Sequence, residues 1–286
     1  MNFESFLYRL KRLILPVLRN PLLFFKIFNI KKLLKGLYGL SNLQVSFKDL
    51  KKDYQITTLF NTLEKINLIS DKNLTKNNFL IKETQIEDLE KKYLNDVNFE
   101  KLKNLFNQYG SDKTRTLLVY VYFEIFNNFK INSLFEIGLG TNNINVRSNM
   151  GLDGKPGASL RAFRDYLGTK IYGADVDKSI LFEEKNIQTF FIDQLNIETI
   201  KNIKSLIPKV DLIIDDGLHQ PDANLNVILN LLDHLNSNGI LVIEDIETSF
   251  VNIFQIIEKI YNKSNKFKSS LIKMKNGYCL LIQNLE

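Results

Sequence analysis

The chain has 286 residues, of which 44% are hydrophobic and 24% are charged, which is enough for one sizeable globular domain and a smaller region. Its single cysteine, Cys279, excludes an internal disulfide framework and a cysteine-rich zinc site, and a reducing, cytoplasmic setting fits best. The net charge of +6 is concentrated in residues 1–40, and the near-neutral remainder, with 30 basic and 31 acidic residues, excludes a nucleic-acid groove there.

Residues 1–40 are basic and apolar, with eight Lys or Arg residues against one acid. Pro16 and Pro21 interrupt the apolar runs, so no stretch approaches the ~20 residues of a membrane-spanning helix, and the pattern of a signal peptide is absent. Two interpretations stay open. The segment lies as a cationic amphipathic element on the inner membrane surface, or it packs on the main domain or on another subunit of a homo-oligomer.

Residues 48–108 are rich in Lys, Asn and Glu and show helical spacing. The segments Ile86–Leu94 and Phe99–Phe106 are predicted to be solvated helices with a narrow apolar face. We therefore predict a helical accessory region over residues 1–107, followed by the main domain over residues 108–286.

Strands and helices alternate after residue 109. The predicted strands are Ser133–Gly138, Lys170–Asp175, Thr189–Ile192, a run from Val210 that ends in Asp215 and Asp216, Gly239–Asp245, Lys268–Met274 and Tyr278–Ile282. The predicted helices are Ala158–Leu167, Ile197–Leu206, Ala223–Leu235 and Phe250–Tyr261. This succession indicates an α/β fold with a doubly wound, mostly parallel seven-stranded sheet and an antiparallel pair at its edge.

Two buried strands end in acids, at Asp215-Asp216 and at Glu244-Asp245, with His219 three residues past Asp216. In open α/β sheets the carboxyl edge of the strands binds the ligand. Carboxylates crowded at one edge repel each other unless a cation is present, and oxygen ligands favour Mg²⁺. Asp215 is predicted to be a structural acid, and His234 is predicted to lie on a helix surface.

The first predicted strand ends in Glu136-Ile-Gly-Leu-Gly140, where Gly138 and Gly140 allow close approach of a ligand to the backbone. A dinucleotide fingerprint would have a third glycine at Asn143 and a helix that begins there, whereas a loop through residues 141–157 intervenes. Asp175, at the end of the second strand, is placed to bind a ribose diol.

Six motifs together resemble a known family: Gly110-Ser-Asp-Lys113, Glu136-x-Gly-x-Gly140, Gly157-Ala-Ser-Leu-Arg161, Asp193-Gln194, Asp215-Asp-Gly-Leu-His219 and Glu244-Asp245. They resemble the class I S-adenosylmethionine-dependent methyltransferases, and more narrowly the metal-dependent O-methyltransferases that act on macrolide sugars, which are related to cephalosporin-hydroxylase-like proteins. The resemblance covers roughly residues 108–286.

The resemblance implies a role for individual residues. The cofactor S-adenosylmethionine would be bound by Glu136, Gly138, Gly140, Ser159, Asp175, Asp193 and Gln194. Mg²⁺ would be bound by Asp216, Glu244 and Asp245, and His219 would be the catalytic base. The implied reaction is methylation of a sugar hydroxyl in a glycan, such as a surface polysaccharide, or in a glycosylated metabolite. Two alternatives stay open: a hydroxylase-like relative on the same fold, and a non-catalytic cofactor-binding scaffold in glycan assembly.

Overall fold

The computed structural model describes residues 62, 65, 66 and 84–286, all of which belong to a compact unit that spans residues 48–286. The predicted membrane contact through residues 1–40 lies outside the described residues. Within residues 84–286, no helix is both long and apolar enough to cross a bilayer.

A nine-stranded mixed sheet forms the centre of the described unit. Its strands are β1 (Thr84–Gln85), β2 (Ser133–Ile137), β3 (Lys170–Asp175), β4 (Glu183–Glu184), β5 (Ile187–Phe191), β6 (Val210–Asp215), β7 (Leu235–Ile246), β8 (Phe267–Lys273) and β9 (Tyr278–Asn284), in the order β1-β8-β9-β7-β6-β2-β3-β5-β4. The seven longer strands are the seven predicted ones, and β1 and β4, of two residues each, extend the sheet at its two edges. The predicted fold class is confirmed.

Within residues 84–286, seven α-helices accompany these strands: α1 (Ile86–Lys92), α2 (Val97–Tyr109), α3 (Leu118–Asn128), α4 (Ala158–Leu167), α5 (Ile197–Leu206), α6 (Pro221–Leu231) and α7 (Val251–Tyr261). Helix α3 was not predicted, because its sequence Leu-Val-Tyr-Val-Tyr-Phe is rich in residues that favour strands. Tertiary packing overrides that propensity, since six of its eleven residues are buried.

Strand order determines which residues meet at the carboxyl edge. The parallel strands β6 and β7 are neighbours, with Asp215 opposite Ile243, and β2 lies between β6 and β3. The residues that follow β2, β3, β6 and β7 therefore leave the sheet at the same edge, about 4.8 Å apart from strand to strand. The candidate site lies at this edge.

Helices α1 and α2 share the hydrophobic core of the α/β fold. Phe99, Leu102 and Phe106 of α2 are buried, and the Phe106 ring packs edge-on against Phe163 of α4 at a centroid distance of 5.2 Å. The narrow apolar face predicted for these helices is thus the face that they bury. The assignment of residues 1–107 as one accessory region stays a prediction.

The prediction that His234 lies on a helix surface is wrong. Helix α6 ends at Leu231, and a 3₁₀ turn over Leu232–His234 leads directly into β7. The His234 side chain is buried, and its Nε2 lies 3.2 Å from the carbonyl oxygen of Ile207. Burial lowers the pKa of His234 below its usual value.

Candidate functional site

A cavity of about 370 Å³ opens at the carboxyl edge of the sheet, within the size range of small-molecule sites. It follows the ends of β2, β3, β5, β6 and β7. Predicted site residues that line it are Gly138, Gly140, Asp175, Asp193, Gln194, Asp216, His219 and Asp245. The structure therefore brings eight of the eleven predicted site residues into one cavity, and leaves Glu136, Ser159 and Glu244 outside its lining.

Asp175 ends β3 and is held by the backbone around it. Its carboxylate accepts hydrogen bonds from the amides of Leu139, at 2.7 Å, and of Asp177, at 2.8 Å. Burial raises the pKa of Asp175, and these amide donors oppose the increase. The side chain thus fixes the turn after β2 while it also lines the cavity.

Gln194 joins β5 to the loop that carries His219. Its Oε1 accepts from the amide of Leu218 at 2.7 Å, and its Nε2 donates to Asp215 at 2.6 Å. Asp215 also accepts from Asn224 at 2.9 Å and is fully buried, which confirms its predicted structural role. Asp193, the neighbour of Gln194, accepts from the amide of Leu195 at 2.9 Å.

Gly138 is required by a close approach of two backbones. Its φ is +95°, and a Cβ atom at this position would lie 2.0 Å from the carbonyl oxygen of Asp216. The amide of Asp216 in turn donates to Ile137 at 2.9 Å. The glycine turn after β2 therefore sets the position of Asp216.

Glu136 and Ser159 form a buried pair behind the glycine turn. Ser159 donates to Glu136 Oε2 at 2.7 Å, and Glu136 has no exposed surface. Ser159 lines a separate small cavity of about 30 Å³ next to Gly138 and Gly140.

Asp216, His219 and Asp245 form what we call the open cluster. Each offers a ligand atom, and these atoms lie within 4.8 Å of one another. His219 Nε2 is 3.7 Å from Asp216 Oδ1, and the buried Nδ1 of His219 has no hydrogen-bond partner. Burial and the neighbouring Asp216 raise the pKa of Asp245. A set of two carboxylates and an imidazole suits a divalent cation.

The backbone at the open cluster adopts an uncommon conformation. His219 has a φ of +54° and Asp245 a φ of +49°, in the region that non-glycine residues seldom occupy. Between Ile243 and Ile246 the register of β7 with β9 shifts, as at a β-bulge. Such irregularities are typical of functional sites, where they redirect side chains.

Glu244 belongs to a second group that we call the Lys113 cluster: Lys113, Glu136, Asp216 and Glu244. The ammonium group of Lys113 lies 2.8 and 2.9 Å from the two oxygens of Glu244, 3.0 Å from Asp216 and 3.1 Å from Glu136. The Tyr122 hydroxyl, from α3, also donates to Glu244. Only Asp216 belongs to both clusters.

Burial and neighbouring charges shift the pKa values of three residues in the Lys113 cluster. Burial raises the pKa of Glu244 and of Glu136, with Asp216 adding to the increase and Lys113 opposing it. Burial alone would lower the pKa of Lys113, but the three carboxylates outweigh it and raise that pKa. The three carboxylates therefore favour the charged form of the fully buried Lys113. No individual role is predicted for Lys113 from the sequence, although it stands in the Gly110-Ser-Asp-Lys113 motif.

No family model matches the chain. In sequence it is 29% identical over 161 residues to the 8-demethyl-8-alpha-L-rhamnosyl tetracenomycin-C 2'-O-methyltransferase of Streptomyces olivaceus, a match that covers 54% of this chain and 40% of the relative. It is 30% identical over 95 residues to the demethylmacrocin O-methyltransferase of Streptomyces fradiae, which covers 33% and 24% of the two chains. The chain thus spans less than half the length of these curated relatives.

Among solved structures, the chain is similar to the MycE methyltransferase of the mycinamycin biosynthetic pathway in complex with Mg and SAH, with a TM-score of 0.50 and 21% identity over 64% of this chain and 54% of that one. This likeness supports the fold. Together with the sequence relatives, it confirms the resemblance to the class I S-adenosylmethionine-dependent methyltransferases: the chain has that fold, and its sequence relatives are named as O-methyltransferases.

Proposed function

We propose that the protein is an S-adenosylmethionine- and Mg²⁺-dependent O-methyltransferase that methylates a sugar hydroxyl. The observation that carries this proposal is that one cavity is lined by two groups of residues. Asp175 and Asp193 lie at the ends of β3 and β5, and the open cluster lies at the ends of β6 and β7. A cofactor and an acceptor bound in this cavity would therefore lie side by side. The relatives named as O-methyltransferases support the same chemistry.

We assign S-adenosylmethionine to the end of the cavity that is formed by β2, β3 and β5. The turn at Gly138 and Gly140 leaves room for its close approach, and the Asp175 carboxylate is the acceptor for its ribose hydroxyls. Bound S-adenosylmethionine supplies an electrophilic methyl group. Glu136 and Ser159 stay assigned to the cofactor site, where they would hold the shape of the turn from behind, since neither residue lines the cavity.

We assign Mg²⁺ to the carboxylates of the open cluster. Asp216 and Asp245 would hold the ion from the cavity side, and this fits the preference of Mg²⁺ for carboxylate oxygens. Glu244, the third proposed ligand, has a carboxylate oxygen within 4.8 Å of an oxygen of Asp216, the residue that both clusters share. Bound Mg²⁺ supplies a Lewis acid that lowers the pKa of a coordinated hydroxyl.

His219 is the proposed base that removes the proton from the sugar hydroxyl. It lines the cavity, is about three-quarters buried, and lies beside Asp216. Its loop is held by Gln194 at Leu218, and Ser148 Oγ donates to the Leu218 carbonyl at 3.1 Å. The loop over residues 141–157 thereby contacts the loop of the base, and we assign it to the acceptor side of the cavity.

Calorimetric titration with S-adenosylhomocysteine, with and without Mg²⁺, tests the cofactor and metal assignments. Micromolar binding is the expected result, and its absence under every metal condition would contradict the proposal. Mass spectrometry of reactions with sugar-bearing acceptors then distinguishes an added methyl group from an added oxygen. His219→Asn should lower methyl transfer about 10²–10⁴-fold while S-adenosylhomocysteine binding persists.

Peripheral membrane contact through residues 1–40 and self-association remain proposals about the whole protein. Fractionation of the full chain and of a variant without residues 1–40 tests the first. Release of the shortened protein from membranes is the expected result, and a full chain that is never found with membranes would contradict it.

A further inference from the structure

We propose that Lys113 is a positioning residue: an internal counter-cation that keeps Asp216 and Glu244 together and that shares their oxygens with the divalent ion. This inference rests on the proposed function, because it concerns the carboxylates to which that function assigns Mg²⁺. It goes beyond the proposed function because a buried lysine, and not the ion, would neutralise these carboxylates when no ion is bound.

The geometry of Lys113 is that of a central cation. Its Nζ lies within 3.1 Å of three carboxylates that come from the ends of β2, β6 and β7. The partners are 103 and 131 residues away in sequence for Asp216 and Glu244. One side chain therefore ties a short 3₁₀ turn, Asp112–Thr114, to three neighbouring strands.

Burial makes this arrangement energetically dependent on the lysine. Lys113 and Glu244 are each 1% exposed and Glu136 is 0% exposed, so water cannot replace the missing charge. Removal of one partner from a buried ion pair leaves the other partner as an uncompensated buried charge. In the unloaded protein, the carboxylates of the Lys113 cluster would repel each other without the ammonium group.

The same contacts restrict how a divalent ion can bind. Both oxygens of Glu244 and one oxygen of Asp216 are already hydrogen-bonded to Lys113. Asp216 Oδ1, which faces His219, and the Asp245 carboxylate are not bonded to Lys113. An ion at the open cluster would therefore meet Asp216 and Asp245 first and share Glu244 with the lysine.

The test compares thermal unfolding of wild type, Lys113→Met, and the double variant Lys113→Met/Glu244→Gln, first in EDTA and then in Mg²⁺. In EDTA, Lys113→Met should lower Tm by on the order of 10 °C. The double variant should recover most of that loss, because it restores the net charge of the cluster. Lys103→Met removes a partly exposed ion pair with Glu100 and should change Tm by no more than about 2 °C.

Mg²⁺ provides the second comparison. It should raise the Tm of Lys113→Met at least about twice as much as that of wild type, since the ion substitutes for the missing cation. A Lys113→Met protein with wild-type Tm in EDTA, or with no larger response to Mg²⁺ than a wild type that does bind it, would overturn the proposal.

The double variant decides the outcome if Lys113→Met does not fold. A folded double variant supports a charge role, whereas an equally unfolded one shows that Lys113 acts through packing and contradicts the proposal. The EDTA measurements need neither cofactor nor acceptor. Failure of wild type to bind S-adenosylhomocysteine or Mg²⁺ would therefore count against the proposed function and leave the EDTA comparison intact.

Discussion

The Lys113 cluster and the open cluster lie at the same edge of the sheet and share Asp216, yet they balance charge in different ways. In the Lys113 cluster, three carboxylates surround a fully buried ammonium group. In the open cluster, Asp216 and Asp245 face a cavity together with an imidazole. The protein thus supplies its own cation where solvent is excluded, and it leaves the carboxylates that face the cavity to be neutralised by a bound ion.

Gly138→Ala should have the largest effect on this comparison, because it displaces the residue common to both clusters. The new Cβ would meet the Asp216 carbonyl at 2.0 Å, and the positive φ adds strain. We expect a loss of about 3–5 kcal/mol in the free energy of unfolding, measured in urea. Gly168→Ala is the matched control, since its φ is +66° but its Cβ would meet nothing, and it should cost only about 1 kcal/mol. Equal losses would contradict the close-approach argument.

Asp245→Asn separates the clusters by changing only the open one. Mg²⁺ affinity, measured by calorimetry, should fall at least about 100-fold. The Tm in EDTA should not fall, because Asp216 and Asp245 repel each other when no cation is present. A variant that binds Mg²⁺ as wild type does would remove Asp245 from the metal site.

Tyr122→Phe changes only the Lys113 cluster, by removing the hydroxyl that donates to Glu244. The free energy of unfolding should decrease by about 1–2 kcal/mol, with Mg²⁺ affinity changed less than about threefold. Tyr261→Phe serves as the control for loss of a buried hydroxyl, since Tyr261 is buried, packs against Phe267 and belongs to neither cluster. A large loss of Mg²⁺ affinity in Tyr122→Phe would show that the two clusters act as one.

The pH dependence of metal stabilisation should give the smallest effect. The pKa values of Asp245 and Glu244 are raised in the folded, metal-free protein. Their protonated forms stabilise the folded protein fully when the pH lies below the pKa of these groups in the unfolded chain. This stabilisation is lost as the pH rises through their raised pKa in the folded protein. Mg²⁺ binds the ionised forms, so the gain in Tm on adding it should grow over that range. Asp245→Asn should weaken this pH dependence. An unchanged pH profile in this variant would show that ionisation of Asp245 does not control the stabilisation by Mg²⁺.

The strands, and the acids at their ends, could be predicted because their patterns are local. Continuous apolar runs ended by Asp216 and by Asp245 indicated buried parallel strands, and the topology of such sheets brings their ends together. Helix α3 could not be predicted in this way, since its aromatic and β-branched residues favour strands until they pack between other elements.

Lys113 and the roles of Glu136 and Gln194 could not be predicted for a different reason. A lysine in a short motif gives no local sign of which carboxylates it will meet more than 100 residues away. Glu136 and Gln194 were assigned to the cofactor by resemblance, and that assignment stays a proposal. Their hydrogen bonds to Ser159, Leu218 and Asp215 depend on tertiary contacts that spacing does not encode.

A crystal structure of the protein with S-adenosylhomocysteine and Mn²⁺, in which anomalous scattering locates the ion, tests both proposed sites at once. We expect S-adenosylhomocysteine in the cavity beside Asp175 and an anomalous peak bound by Asp216 and Asp245, with Lys113 still in contact with Glu244. A cavity that binds S-adenosylhomocysteine with no ion at these carboxylates, or an ion bound at a different place, would contradict the proposal.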